Sequence, residues 1–199
     1  MEPSWMTQKL QEATDLQLIV LPCFIDATDR QVKDLVSAAR EGLVSAVEEM
    51  LQRPQDPDQR TFVLENMVNE LSCYQTPLGA ACSHGHAEVA RLLLFAGASH
   101  NCRSHPNRYD PVGATPLYLA SKGGHAEVVR VLLEACADKN TASGMDALSP
   151  LLVATKNNRT EVAHVLLEGA ADANKACGED TPLVMAIMLD RVDITKLVD

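Results

Sequence analysis

Apolar positions recur along this chain at helical spacing, in short runs such as Val89, Leu92 and Leu93 or Val128, Val131 and Leu132. Each run is the second half of a longer segment that returns in the same internal order. The segments are TPLGAACSHGHAEVARLLLFAGASHN from Thr76, TPLYLASKGGHAEVVRVLLEACADKN from Thr115, SPLLVATKNNRTEVAHVLLEGAADAN from Ser149 and TPLVMAIMLDRVDITKLVD from Thr181. Their starts lie 39, 34 and 32 residues apart, and in each full copy an Asn closes the segment 25 positions after its Thr or Ser.

Each opening predicts a helix start. The Thr or Ser caps free backbone N–H groups, and Pro sits in the first turn, where its missing donor costs nothing. A first helix, A, then runs to a stop at Gly85, Gly124, Asn158 or Asp190, residue types that tolerate the left-handed conformation ending a helix. A second helix, B, follows and stops at Gly97. The equivalents of Gly97 are Cys136 and Ala170, with Gly169 one place early, so those two ends are predicted to be strained or shifted. Upstream, LVSAAREGLVSAVEEMLQ puts Leu35, Ala38, Gly42, Val47, Met50 and Leu51 in the same register without a T-P-L start, as a terminal unit would.

A period in this range opening with T-P-L resembles the ankyrin repeat. The resemblance spans roughly Lys33 to Asp199, with a degenerate first repeat at 33–75, repeats from 76, 115, 149 and 181, and the last one cut short. It implies an all-α solenoid of stacked helix-turn-helix units with β-hairpin-like loops, in which neighbouring units bury one another. It also implies a concave face of helix A exteriors and loop tips that binds a protein partner. Carried onto this chain, that face includes Ser83, His84, Lys122, Lys156 and Asn157 on the helices and Met145 and Asp146 at a tip, with Tyr109 and Asp110 in an adjoining loop. Lys122 and Lys156, on neighbouring helices, suit an extended or acidic segment. The family's His after T-P-L is replaced by Gly79, Tyr118, Leu152 and Val184, which is expected to weaken hydrogen bonding at the turns.

Two insertions break the period. Asp58 to Thr76 is eleven residues longer than the last Asn-to-Thr junction and contains TFVLENMVNEL, predicted as a short helix or a lengthened hairpin. Asn101 to Thr115 is seven residues longer and carries CRSHPNRYDPVGA. Excursions from a regular scaffold are where partner-specific contacts gather. Residues 1–32 lack the repeat, and LQLIVLPCF there could form one strand. At the other end, Ile194, Leu197 and Val198 are expected to present an uncovered apolar face.

Composition narrows the function. The apolar share of 46% supplies a core, while the aromatic share of 4% leaves that core to Ala, Leu and Val, which suits close-packed helices. A net charge of −10 repels phosphate backbones, and no Lys/Arg cluster offsets it, so no nucleic-acid partner is expected. No apolar run reaches the ~18 residues of a membrane span. The leader before Leu16 carries Glu2, Glu12 and Asp15, against a secretory signal. Six cysteines without a C-x-x-C pair read as reduced residues, Cys82 and Cys136 at packing positions, which points to the cytoplasm, with the nucleus as the other compartment.

Candidate chemistry is weak throughout. His86-Ala-Glu88 and His125-Ala-Glu127 resemble the H-x-E of zinc deaminases, but Pro22-Cys23 lacks the second cysteine, and both triplets occupy one repeat position at the turn between helices. His100, Cys102 and His105 would need a fourth zinc ligand, with His84 the conceivable donor. Asp56 and Asp58 fall in a linker. No G-x-S-x-G, phosphate loop or HExxH occurs. The expectation is therefore a non-enzymatic adaptor or scaffold with no cofactor, metal or small-molecule substrate. The alternative is a regulatory piece of a larger enzyme or of a ubiquitin-ligase substrate receptor.

Overall fold

Capped, short, alanine-rich helices are what the chain forms. The computed structural model describes residues 29–51, 61–64, 72–104, 113–144, 146–178 and 180–198. The LQLIVLPCF stretch, Asp56, Asp58, His105, Tyr109, Asp110 and Met145 lie outside them. In chain order the elements are α1 (Asp29–Glu41), α2 (Val44–Leu51), β1 (Thr61–Leu64), β2 (Ser72–Gln75), α3 (Pro77–His84), α4 (Ala87–Phe95), α5 (Pro116–Gly123) and α6 (Ala126–Glu134). They continue with α7 (Pro150–Lys156), α8 (Thr160–Glu168), α9 (Pro182–Met188) and α10 (Val192–Val198).

Every T-P-L helix begins in the same way. Thr76, Thr115, Ser149 and Thr181 have extended backbones, and their hydroxyls accept from the N–H of Gly79, Tyr118, Leu152 and Val184 at 3.0, 3.3, 3.2 and 3.3 Å. Each such cap is worth about 1 kcal/mol against Ala. The helices stop where predicted: Gly85, Gly124, Asn158 and Asp190 have φ of 83°, 89°, 55° and 54°. The four helices share a fully buried alanine, Ala81, Ala120, Ala154 and Ala186, whose lone methyl lets adjacent A helices approach closely.

Helices α1, α3, α5, α7 and α9 form one layer and α2, α4, α6, α8 and α10 the other, each helix touching its neighbours in its own layer and its partner across. Leu78, Val89, Leu93, Leu117, Val128, Leu132, Leu151, Val162 and Leu166 fill the space between them. The second helix ends are strained but unshifted. Ala98, Ala137 and Ala171 donate to Leu93, Leu132 and Leu166 at 2.9 Å in all three copies, while Cys136 and Ala170 adopt φ of 60° and 57° where Gly97 has 94°. Holding a side chain there costs roughly 1–2 kcal/mol per residue.

Several expectations need amendment. The first insertion forms the lengthened hairpin: β1 pairs antiparallel with β2, from Thr61 opposite Gln75 to Leu64 opposite Ser72, and β2 runs directly into the Thr76 cap. Helices nonetheless make up the solenoid. Cys82 is buried, and that burial pushes its thiol pKa up, but Cys136 is exposed and does not pack. Ile194, expected to be uncovered, is fully buried. Its register mates Val89, Val128 and Val162 are buried too, because this position faces inward and not toward a following unit. Leu197 is half-buried, and nothing is described of the Val198 side chain.

Where the family's histidine is missing after T-P-L, a second apolar cluster takes over. Tyr118 and Leu152 pack with Ala114, Leu148, Val153 and Met185 beneath the loop tips. Gly144, at φ 77°, lies over the Tyr118 ring so closely that a Cβ there would sit 2.4 Å from it. The tip is tied down further by the Ser143 hydroxyl, which donates to the Thr115 hydroxyl at 3.2 Å.

Candidate protein-binding face

The repeat register decides which side chains share a face. Seven residues after each capping Thr or Ser stand Ser83, Lys122, Lys156 and Met188, and the next positions hold His84, Gly123, Asn157 and Leu189. These eight residues lie at the C-terminal ends of four adjacent A helices. Lys122, Lys156, Met188 and Leu189 are exposed, as is His84, whereas Ser83 and Asn157 are half-buried. The two half-buried side chains are turned back onto their own helices. The Ser83 hydroxyl donates to the Ala80 carbonyl at 2.9 Å, and Asn157 Nδ2 donates to that of Val153 at 2.8 Å. His84 Nδ1 also donates to Ala80 at 3.0 Å, and its ring stacks parallel to His86 with centroids 6.4 Å apart.

The charged residues differ in how they are held. Lys156 Nζ reaches the tip carboxylate of Asp146 at 2.5 Å, both side chains about half exposed. Lys122 forms no ion pair among the described residues and points to solvent. Of these two lysines on neighbouring helices, one is open and one is already bonded to a carboxylate. Asp146 was legible as a tip residue, but its bond to Lys156 was not, since no helical spacing links them.

Charge differs between the T/S-P-L helices and the helices they pair with. The four A helices, PLGAACSH, PLYLASKG, PLLVATK and PLVMAIM, contain Lys122, Lys156 and His84 and no Asp or Glu. The B helices α4, α6 and α8 carry Glu88, Glu127, Glu134, Glu161 and Glu168. Some of these acids are bridged on their own side: Arg91 contacts Glu127 at 2.8 Å and Glu134 at 3.4 Å, and Arg130 contacts Glu127 at 3.6 Å. Acidic side chains in the A layer are thus confined to α1, which carries Asp29, Asp34 and Glu41, while the four T/S-P-L helices present none.

The two H-A-E histidines are used to join repeats. His86 Nε2 donates to the Arg40 carbonyl at 2.8 Å and His125 Nε2 to the Ser83 carbonyl at 3.1 Å. Arg159, at the same register position, donates through Nε to the Lys122 carbonyl at 3.3 Å. Sequence alone placed these residues at a turn; it did not show that they cross to the preceding unit. The closing asparagines also bridge units, Asn101 Oδ1 accepting from Asp138 N at 3.0 Å and Asn140 Oδ1 from Asp172 N at 2.9 Å. Asp138 is held below the usual carboxylate range, first by the Thr141 hydroxyl and then by the Asn140 N–H. Among the described residues no three His, Cys, Asp or Glu side chains gather to hold a metal ion, and His105 lies outside them. No described helix is long and apolar enough to cross a membrane.

The family model for ankyrin repeats, in three copies, matches residues 35–143, more than half of the chain. No curated protein matches it.

Proposed function

The chain belongs to the ankyrin repeat family, whose members are generally protein-protein interaction modules, and on that premise we propose that its A-helix face binds an acidic segment of a partner protein. The chain would act as an adaptor or scaffold, not as an enzyme. The observation that carries this reading is the partition of charge: a chain of net charge −10 keeps every Asp and Glu off the four T/S-P-L helices and sets two lysines at one register position on adjacent members. An acidic ligand meets cations there without crossing the glutamates of the outer layer. Ser83, His84 and Asn157 flank the lysines, and Tyr109, Asp110 and Met145 are proposed to border the site from the loops. Among the described residues Cys82, Cys136 and Cys177 form no disulfide, which suits a reducing compartment such as the cytoplasm or nucleus.

Asp146 gives the site an internal competitor. In the free protein it occupies Lys156, and a partner carboxylate has to displace it. The test is fluorescence anisotropy with a labelled glutamate-rich peptide. Lys122→Glu combined with Lys156→Glu should weaken binding about tenfold or more, and Asp146→Asn should tighten it severalfold by freeing Lys156. Equal affinity of wild type and the double reversal would remove this assignment. Affinity capture with both proteins as bait would then show which cellular partners depend on the same lysines.

A further inference from the structure

Large exposed apolar side chains among the described residues are not spread evenly: Leu43, Val44 and Phe95 lie in earlier units, while Val184, Ile187, Met188, Leu189 and Val192 all belong to the last helix pair. The repeat register separates the four on α9 and its end into two groups. Ile187 corresponds to Cys82, Ser121 and Thr155, each fully buried in a copy that has another unit packed after it, and Val184 corresponds to the buried Tyr118 and Leu152. These two therefore point along the stacking axis. Met188 does not. Its counterparts Lys122 and Lys156 remain exposed even with a following unit in place, and none of Leu189's counterparts, the exposed His84 and the half-buried Gly123 and Asn157, is fully covered, so the packing of a further helix pair would leave this edge accessible.

Met188, 73% exposed, and Leu189, 41% exposed, thus continue the track of the two lysines on the same face. Read from α5 to α9, that track presents an open cation, a cation shared with Asp146, and then an apolar pair. An apolar pair placed in line with cations is best matched by a ligand that is itself mixed. Resting on the reading of the preceding section, we infer that the partner segment is extended and amphiphilic: carboxylates opposite Lys122 and Lys156, followed by one bulky aliphatic or aromatic side chain opposite Met188 and Leu189. Adjacent packed helices lie about 8–10 Å apart, and an extended chain advances about 3.3 Å per residue, so the three contacts fall roughly three residues apart.

The order of contacts matters as much as their kinds. Lys122 and Lys156 alone would accept many acidic peptides. The apolar end supplies a requirement that a purely electrostatic encounter lacks, and its contribution persists at a salt concentration that screens the lysines.

The probes are labelled synthetic peptides carrying two glutamates and a leucine at three-residue spacing, in both chain directions, with versions in which serine replaces the leucine or the leucine is moved between the glutamates. Binding is followed by anisotropy with the full chain. The leucine peptide of one direction should bind about tenfold more tightly than its serine version, the scale of burying one such side chain. Met188→Ser with Leu189→Ser should erase that tenfold difference while leaving the dependence on Lys122 and Lys156. Ile187→Ser, which alters the stacking end only, should preserve it, and also guards against general loosening of α9. Equal binding of leucine and serine peptides, or a leucine effect that survives Met188→Ser with Leu189→Ser or vanishes with Ile187→Ser, would overturn the inference while the acidic-partner reading stands. If no peptide distinguishes wild type from the double lysine reversal, both fall together.

Discussion

The joints between successive helix pairs are built alike in the middle of the array and differently at its last junction. At the earlier joints a glycine ends helix A, and the residue ten places after the next cap reaches across it to a backbone carbonyl. Gly42 faces His86, Gly85 faces His125, and Gly124 faces Arg159. A Cβ at those glycines would come within 2.4, 2.5 and 2.7 Å of the crossing side chains. At the last joint Asn158 takes the glycine's place with φ 55°, and the crossing residue is Arg191. Its Nε is buried and has no hydrogen-bond partner among the described residues. A Cβ now stands where the other joints admit the crossing side chain, and Arg191 Nε makes no bond to the counterpart acceptor, the Lys156 carbonyl. Leaving such a donor unsatisfied costs roughly 1–3 kcal/mol. In an array whose stability is a sum over neighbours, this makes the last pair the least firmly attached, and it is the pair that offers Met188 and Leu189.

The strongest way to break this comparison is to cut the core on both sides of the weak joint. Leu132 and Ile194 are both fully buried. Leu132→Ala should cost about 2–5 kcal/mol and shift the main urea transition, because α6 packs against both neighbours in its layer. Ile194→Ala removes as many carbons but should mainly expose α9 and α10 to hydrogen exchange, leaving the main transition nearly in place. Equal shifts of the main transition would mean that the last pair is as firmly coupled as the middle, and the contrast would be lost.

How much of this was legible beforehand follows from the range of each interaction. The caps at Thr76, Thr115, Ser149 and Thr181 and the stops at Gly85 and Gly124 act within a few residues, so their spacing in the sequence reveals them. The hairpin of β1 and β2 stayed one of two options because TFVLENMVNEL has no alternation long enough to exclude a helix. The Asp146–Lys156 bond and the His125 contact with Ser83 join different segments, and the second crosses 42 positions. Ile194 shares its register position with the fully buried Val89, Val128 and Val162, so the earlier copies identify it as facing the space between the layers, a comparison that the apolar pattern of the last helix alone does not make.

A middle joint can be made to imitate the last. Gly124→Ala places a methyl at φ 89°, against the Arg159 side chain, and should cost about 1–2 kcal/mol from the left-handed conformation alone. Arg159 is flexible enough to move aside, but moving strains its bond to the Lys122 carbonyl. Equilibrium unfolding of Gly124→Ala and of Gly124→Ala with Arg159→Ala separates the two contributions. If the arginine bond matters, its removal will cost less in the alanine background than in wild type. Strict additivity would reduce the joint to a matter of glycine conformation.

The converse change is smaller and more specific. Asn158→Gly removes the side chain at the last joint while relieving a left-handed residue that asparagine already tolerates fairly well, so the conformational gain alone is a few tenths of a kcal/mol. Two further effects oppose each other: glycine gives the unfolded chain more freedom, and the opened space lets Arg191 bond to Lys156 as Arg159 bonds to Lys122. A bond to a charged donor contributes about 1.5–3 kcal/mol, more than the entropy of one glycine, so the sum should favour the folded last pair. Slower hydrogen exchange in α10 of Asn158→Gly, lost again when Arg191→Met is added, would show the donor satisfied. Exchange unchanged by Asn158→Gly would mean that the asparagine is not what keeps Arg191 from its carbonyl, and the difference between the joints would have to lie in α9 itself.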